Sequence, residues 1–250
     1  GAVGAPDHPK RGLLSVSAAH CSSADHLDRP GYPQSRRAAA ALLAACRQWI
    51  FSQLRKAVTA AGRTVDTRGQ FRSLQISIRF PCTYTGTRGR AKCDVMGALG
   101  VAFHAAQDFY AHTNWVDVPR KGRIGTANPP GLGNASRAAW LDPRRQAPFP
   151  RGLISGCFKG LPERNYCRGR IRHADLNKDL GPIDATSRTI GPGRTPRGKV
   201  NGNFARAVRA AIADTRDKWA YFEARVLIRY GMKRGRRIVC AIRRDDTSGC

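Results

Sequence analysis

Three side chains able to bind metal or move protons recur at a fixed interval in FHAAQDFYAHTNWVD, residues 103–117. His104, Asp108 and His112 stand four residues apart, twice over. In a helix each such step turns the side chain by only about 40° and advances it about 6 Å, so all three share one face. Phe103, Phe109, Tyr110 and Trp115 surround that face. Neighbours in the series are within reach of one ion. His104 and His112 are not, being about 12 Å apart along the axis when a Zn–N bond spans about 2.0–2.1 Å. If all three are ligands, Asp108 is best used as a bridge between two ions. Ions about 3.5–4 Å apart suit displacement at phosphorus, one activating water while both hold charged oxygens. The same spacing also describes plain hydrogen-bonded His–carboxylate pairs that need no metal.

A further group of polar residues lies at RHADLNKD, residues 172–179. His173 is the candidate remote ligand. Asn177, four residues on, is a poor zinc ligand and serves either to orient substrate or to cap a turn. Arg172 and Lys178 are candidates for holding a phosphate, since charge-assisted hydrogen bonds to phosphate are the strong ones. Asn114, just past the last histidine of the helix, joins them as a candidate substrate contact. His20, with Asp25 and Asp28 nearby, is a further candidate ligand, while His8 and His26 read as solvated.

These residues need elements to hold them. Residues 1–34 show little periodicity and read as an extended arm. Ser35 is a suitable N-cap for a helix to Ala61, with Gly62 as its stop and an apolar face from Leu42, Leu43, Trp49, Ile50, Leu54 and Val58. Leu74, Ile76 and Ile78 alternate with polar residues and predict a strand within 72–84. Asp94 can cap a helix from Val95 to about Trp115, with Met96, Leu99, Phe103 and Ala106 on one stripe. Gly97 and Gly100 there would let another element approach closely. A last helix covers 203–230, with Phe204, Val208, Ile212, Trp219, Phe222, Val226 and Leu227 on its periodic face and Gly231 ending it. Between Val118 and Val200 the chain carries 12 Gly and 10 Pro. That stretch reads as an ordered, loop-rich excursion over the helical core. The fold class expected is mainly α: three long helices in a single domain over 1–250, with little β structure.

Eight cysteines are present and none forms a CxxC pair, which disfavours a zinc ribbon or a thioredoxin-like site. Cys82–Cys93, Cys157–Cys167 and Cys240–Cys250 each bracket a polar loop, leaving Cys21–Cys46. Four disulfides imply an oxidising compartment, hence a secreted or periplasmic protein. No run approaches the roughly 18 to 20 apolar residues of a membrane span. The chain begins with Gly1, as a processed form or a fragment would. With 35 Arg and 9 Lys against 17 acidic residues the net charge is +27. Such a surface attracts polyanions such as nucleic acid or anionic lipid, although an Ala- and Arg-rich composition can also reflect genome-wide bias. KRGRR at 233–237 resembles a nuclear localisation run, against which the cysteines argue.

The helix segment FHAAQDFYAHTNWVD resembles the signature of the Het-C family. That family is similar in turn to the superfamily of zinc-dependent phospholipase C and S1/P1-type nucleases. The longer likeness is to a secreted bacterial group, CinY-like. It is carried by GAVGAPD at 1–7, AAHC at 18–21, GRAKC at 89–93, ANPPGL at 127–132, HADLNKD at 173–179, TPRG at 195–198 and NFARAV at 203–208. The resemblance implies a helical enzyme whose zinc cluster draws on His104, Asp108 and His112, with His104-x3-Asp108 matching an HxxxD element. His173-x3-Asn177 falls where those enzymes carry His-x3-Glu, so here the acid is replaced. Relatives also carry a His-containing helix upstream of GAVGAPD, and its lack leaves the expected site incomplete. The function implied is zinc-dependent phosphoester hydrolysis of the phospholipase C type, with Asp108 as bridge or base. The alternatives are an S1/P1-like nuclease, or a non-catalytic basic module binding anionic membranes or polymers. Composition does not address the oligomeric state.

Overall fold

A computed structural model of the chain describes residues 1–77, 79, 81–84 and 89–250. Among them seven α-helices appear: α1 Arg36–Ala61, α2 Ser73–Ile76, α3 Ala91–His112, α4 Glu163–Tyr166, α5 His173–Leu176, α6 Asn203–Tyr230 and α7 Met232–Arg243. Two two-residue strands, β1 Ile183–Asp184 and β2 Thr189–Ile190, pair antiparallel in the register Ile183↔Ile190 and Asp184↔Thr189. The protein is mainly α, as its periodicities predict. It resolves into two compact units. The first contains Gly1–Leu14, Trp49–His104 and Arg216–Cys250; the second contains Ser15–Gln48 and Ala105–Thr215. The long helices α1, α3 and α6 each contribute residues to both.

Helix α1 begins where Ser35 caps it: the Ser35 hydroxyl accepts from the Ala38 N–H at 3.2 Å. Leu43, Cys46, Ile50, Leu54 and Ala57 recur at helical spacing and are wholly buried. The helix stops before Gly62, where a Cβ would lie 2.4 Å from the Tyr230 hydroxyl. That hydroxyl donates to the Val58 carbonyl at 3.0 Å. A side chain at Gly62 would displace the Tyr230 ring from this place, so Gly62 serves packing as well as termination.

Helix α3 starts at Ala91, four residues before the expected Val95. Asp94 works from inside the first turn, accepting from the Gly89 N–H at 2.9 Å and pairing with Arg63. The helix ends at His112 and not near Trp115. There the Asn114 N–H turns away to donate to the Ile154 carbonyl at 3.0 Å. The expected stripe is also shifted. Val95, Leu99, Ala102, Ala106 and Phe109 are buried, whereas Met96 is exposed. Gly100 does admit another element: a Cβ there would sit 2.3 Å from the Ala2 carbonyl. The N-terminal segment thus crosses α3 one turn before His104.

The strand expected within 72–84 is corrected. Leu74 and Ile76 belong to the single helical turn α2, and Leu74 is 82% exposed, so its alternation with polar residues serves no sheet face. Ile78 lies outside the described residues. Helix α6 has the expected bounds, although Ile212 on its expected apolar face is exposed. Helix α7 is additional. Gly231, with φ +75°, breaks the chain from α6, and Gly235, Ile238, Ala241 and Ile242 bury one face of α7. The KRGRR run lies on it, and two of its arginines serve packing. Arg234 donates to the Gly62 and Val65 carbonyls, and the Arg237 guanidinium covers the Phe71 ring at 4.2 Å.

All four cysteine pairs expected from the spacings are joined: Cys21–Cys46 and Cys157–Cys167 in the second unit, Cys82–Cys93 and Cys240–Cys250 in the first. No helix among the described residues is long and apolar enough to cross a membrane. The loop-rich stretch is ordered around a buried ion-pair centre in the second unit. Asp117, fully buried, faces Lys178 Nζ at 3.0 Å and Arg197 Nε at 2.8 Å. Arg197 also donates to the Pro129 and Pro130 carbonyls. One carboxylate thereby ties together four parts of a segment that has almost no regular structure.

Candidate metal centre

In the second unit the last two turns of α3 present Asp108 and His112, and two loops bring partners to them. The first loop carries His20. A 3₁₀ turn at Ser17–Ala19 precedes it, and Cys21 follows with φ +48°, anchored to α1 by its disulfide. His20 Nδ1 comes to 3.0 Å from Asp108 Oδ2. The second loop follows α5. There the Lys178 N–H donates to the Ala111 carbonyl at 3.1 Å, which brings Asp179 Oδ2 to 3.3 Å from His112 Nε2. Asp108 reaches the same imidazole nitrogen with its other oxygen, Oδ1, at 3.8 Å.

The carboxylate of Asp108 therefore uses its two oxygens on two different imidazoles. His112 in turn faces two carboxylates. It is buried at 4% exposure, and its Nδ1 has no hydrogen-bond partner among the described residues. Burial pushes its pKa down to about 3, with Asp108 opposing and His173, Lys178 and His20 assisting. The ring is held neutral, the form in which imidazole ligates a metal.

His173 stands at the start of α5. Its ring lies against that of His112 with centroids 4.0 Å apart, and Phe158 packs on it at 5.6 Å. Its Nδ1 is 3.3 Å from Glu163 Oε1. Burial raises the Glu163 pKa, but the hydrogen bonds from His173 and the Ala174 N–H outweigh it and hold the carboxyl below its ordinary value. In the first unit His104, 6% exposed, places Nε2 3.5 Å from Asp7 Oδ1. That contact follows from the crossing at Gly100, which lays the GAVGAPD segment over α3.

Donor atoms of a tetrahedral zinc at about 2.0–2.1 Å stand about 3.3 Å from one another. In the second unit the His20–Asp108, His112–Asp179 and His112–Asp108 separations of 3.0, 3.3 and 3.8 Å bracket that spacing. With the neutral, unsatisfied imidazole of His112, these are side chains of a kind that can hold a metal ion.

Two candidate substrate contacts are buried and hydrogen-bonded within the protein. Lys178 is 1% exposed, and its Nζ is bonded to the Thr113 and Leu176 carbonyls besides Asp117. It cannot meet a phosphate without abandoning a buried carboxylate. Asn114 is wholly buried, accepting from the Ile154 N–H and donating to the Gly152 carbonyl, so it pins the loop to the end of α3. Asn177 caps a turn, its Oδ1 accepting from the Asp179 N–H at 2.7 Å. Arg172 is clamped by Asp175 through Nε at 3.0 Å and a terminal nitrogen at 2.7 Å. Sequence reasoning passed over Asp7, Glu163 and Asp179 as partners. Two of them sit inside quoted motifs, as the last residues of GAVGAPD and HADLNKD, and that position was the available signal. His26 is also not simply solvated: it is bonded to Asp28 and the Gln34 carbonyl.

Comparison with family models, with curated proteins and with solved structures returns no match to this chain.

Proposed function

We propose that the chain is a secreted zinc-dependent phosphodiesterase of the phospholipase C type, with S1/P1-like nuclease action as the alternative on the same chemistry. The observation that carries this reading is Asp108. Its two oxygens serve two different imidazoles, Oδ2 toward His20 and Oδ1 toward His112, and a carboxylate so placed could be shared between metal ions. Zinc held by these residues would supply Lewis-acid polarisation of a phosphoryl oxygen. Asp108 fixes the orientation of the two imidazoles. His112 contributes a neutral ring because burial keeps the proton off it. Asp179, at 42% side-chain exposure, is more open than Asp108 and His112 and is the more accessible proton acceptor beside His112. The net charge of +27 favours encounter with any polyanionic substrate.

The test is elemental analysis of the purified chain at neutral pH, with hydrolysis of bis(p-nitrophenyl) phosphate before and after chelation. Bound zinc with chelator-sensitive hydrolysis is expected. Protein that carries no zinc and takes up none on addition overturns the reading. Parallel assays on phosphatidylcholine vesicles and single-stranded DNA separate the two substrate classes.

A further inference from the structure

The second unit also holds a cleft of about 1270 Å³ that none of His20, Asp108, His112 or His173 lines. Its walls are the start of α1, the segment 123–132 and the loop 149–154. Leu27, Ile124, Leu132, Phe149 and Ile154 give it apolar surface, and Ile124 stands 45% exposed. Five arginines line it against one acid, Asp28, which is already bonded to His26 and Arg36. Arg29 is partly engaged by the Gly169 carbonyl. The guanidinium groups of Arg37, Arg123 and Arg151 have no hydrogen-bond or ion-pair partner among the described residues, and all three residues are exposed.

Two observations set the three unpartnered arginines apart. In the first unit another cleft is also basic, but three of its arginines are spent: Arg11 on the Tyr84 carbonyl, Arg63 on Asp94, Arg90 on the Ser77 and Pro81 carbonyls. Moreover, Arg36 and Arg37 occupy the first turn of α1, which has no acidic residue. Cations there oppose the helix dipole, whose positive end an anion would stabilise. The arrangement disfavours the free state and favours the occupied one.

We propose that this cleft binds one molecule of an acidic phospholipid. The headgroup phosphate is met by Arg37, Arg123 and Arg151, and the acyl chain lies against Ile124, Leu132 and Phe149. Single-stranded nucleic acid fits less well. It needs successive aromatic platforms, and Phe149 is the one phenylalanine, tyrosine or tryptophan lining the cleft, its ring already set edge-on to Trp140 at 5.4 Å. The inference does not depend on the metal centre, because the two sets of residues are separate.

The test is calorimetric titration of the full chain with four probes. These are monoacyl phosphatidylglycerol below its micellar concentration, its zwitterionic choline counterpart, inorganic phosphate and a thymidine oligonucleotide. The glycerol lipid is expected to bind, and to weaken about fivefold for each of Arg37→Ala, Arg123→Ala and Arg151→Ala, the usual worth of one basic residue at an anionic headgroup. Ile124→Ser is expected to weaken the lipid and leave phosphate unaffected. Asp108→Asn is expected to change nothing here, which separates failure of this site from failure of the metal centre. Binding of phosphate as tight as that of the lipid overturns the proposal in favour of a plain anion site. Tighter oligonucleotide binding, lost in the same arginine variants, overturns it in favour of a nucleic-acid groove. Arginine variants that bind the lipid like the parent also overturn it.

Discussion

His20 and Asp108 are 88 residues apart in the chain and meet with Nδ1 3.0 Å from Oδ2. The contact joins a loop otherwise short of regular structure to the face of α3 that carries His112. It makes Asp108 the shared member of the cluster, and the first prediction follows from that. Asp108→Asn keeps the shape but removes the charge that both imidazoles face. Metal affinity should fall by at least about 100-fold, the upper end of what is lost when a group that orients metal ligands is changed. Asp179→Ala should act in the same direction. Zinc stoichiometry after dialysis against a graded chelator checks both. An Asp108→Asn protein that retains its zinc would show that the pair is only a hydrogen bond.

The Cys21–Cys46 disulfide adjoins His20 in the chain, whereas Cys240–Cys250 closes the end of α7 in the other unit. Each removal should cost about 2–4 kcal/mol of stability. Their functional effects should differ. Replacing Cys21 and Cys46 by serine frees the loop that presents His20 and should lower zinc occupancy. Replacing Cys240 and Cys250 should leave occupancy unchanged at a temperature where both variants are folded. Equal loss of zinc from both would mean that the effect travels through global stability alone.

Asp142 gives the protein an acid limit. Its side chain is 1% exposed and faces Arg137, Arg144 and Arg145. Burial alone would raise its pKa, but hydrogen bonds from the Arg144 side chain and N–H outweigh this and draw it down from 3.8 to about 2. The folded value lies below the unfolded one. The stabilisation is therefore complete above the ordinary carboxylate pKa and is lost as pH falls through the folded value. Urea unfolding of the parent and of Asp142→Asn should show a gap that is constant near neutrality and closes between pH 3.8 and about 2. A gap independent of pH across that interval would exclude the linkage.

The sequence carried the helical class, the three long helices and the four cysteine pairs because each rests on local information. Ser35 caps, Gly62 and Gly231 stop, and three of the four cysteine pairs close short loops. The alignment of His104, Asp108 and His112 is likewise a property of one helix. Their partners are not. Asp7 meets His104 only because Gly100 lets the N-terminal segment cross α3, and Asp179 meets His112 only because the Lys178 backbone docks on Ala111. Gly100 marks that something approaches α3 without naming the segment that does, and the docking of Lys178 has no local signature. Helix α7 has no extended apolar periodicity because its buried face is built of Gly235, Ile238, Ala241 and Ile242 within a run dominated by arginine. The strand expectation at Leu74 failed because alternation over a few residues cannot separate a strand from an exposed turn of helix.

Lys178 shows how far a basic residue beside a candidate site can be from substrate. Its Nζ satisfies two carbonyls and neutralises Asp117, which is also held by Arg197. Lys178→Met leaves Asp117 one cation short in a fully buried site. The cost should be about 3 kcal/mol, the lower end for breaking a buried pair, because Arg197 still faces the carboxylate. Lys178→Arg should not restore the loss, since its larger planar head must fit where Nζ now meets three acceptors. The KM of the Lys178→Met protein for a phosphodiester, measured well below its melting temperature, should equal that of the parent. A raised KM with unchanged melting temperature would return Lys178 to the substrate. A lowered melting temperature with unchanged KM makes it the brace that positions Asp179 against His112.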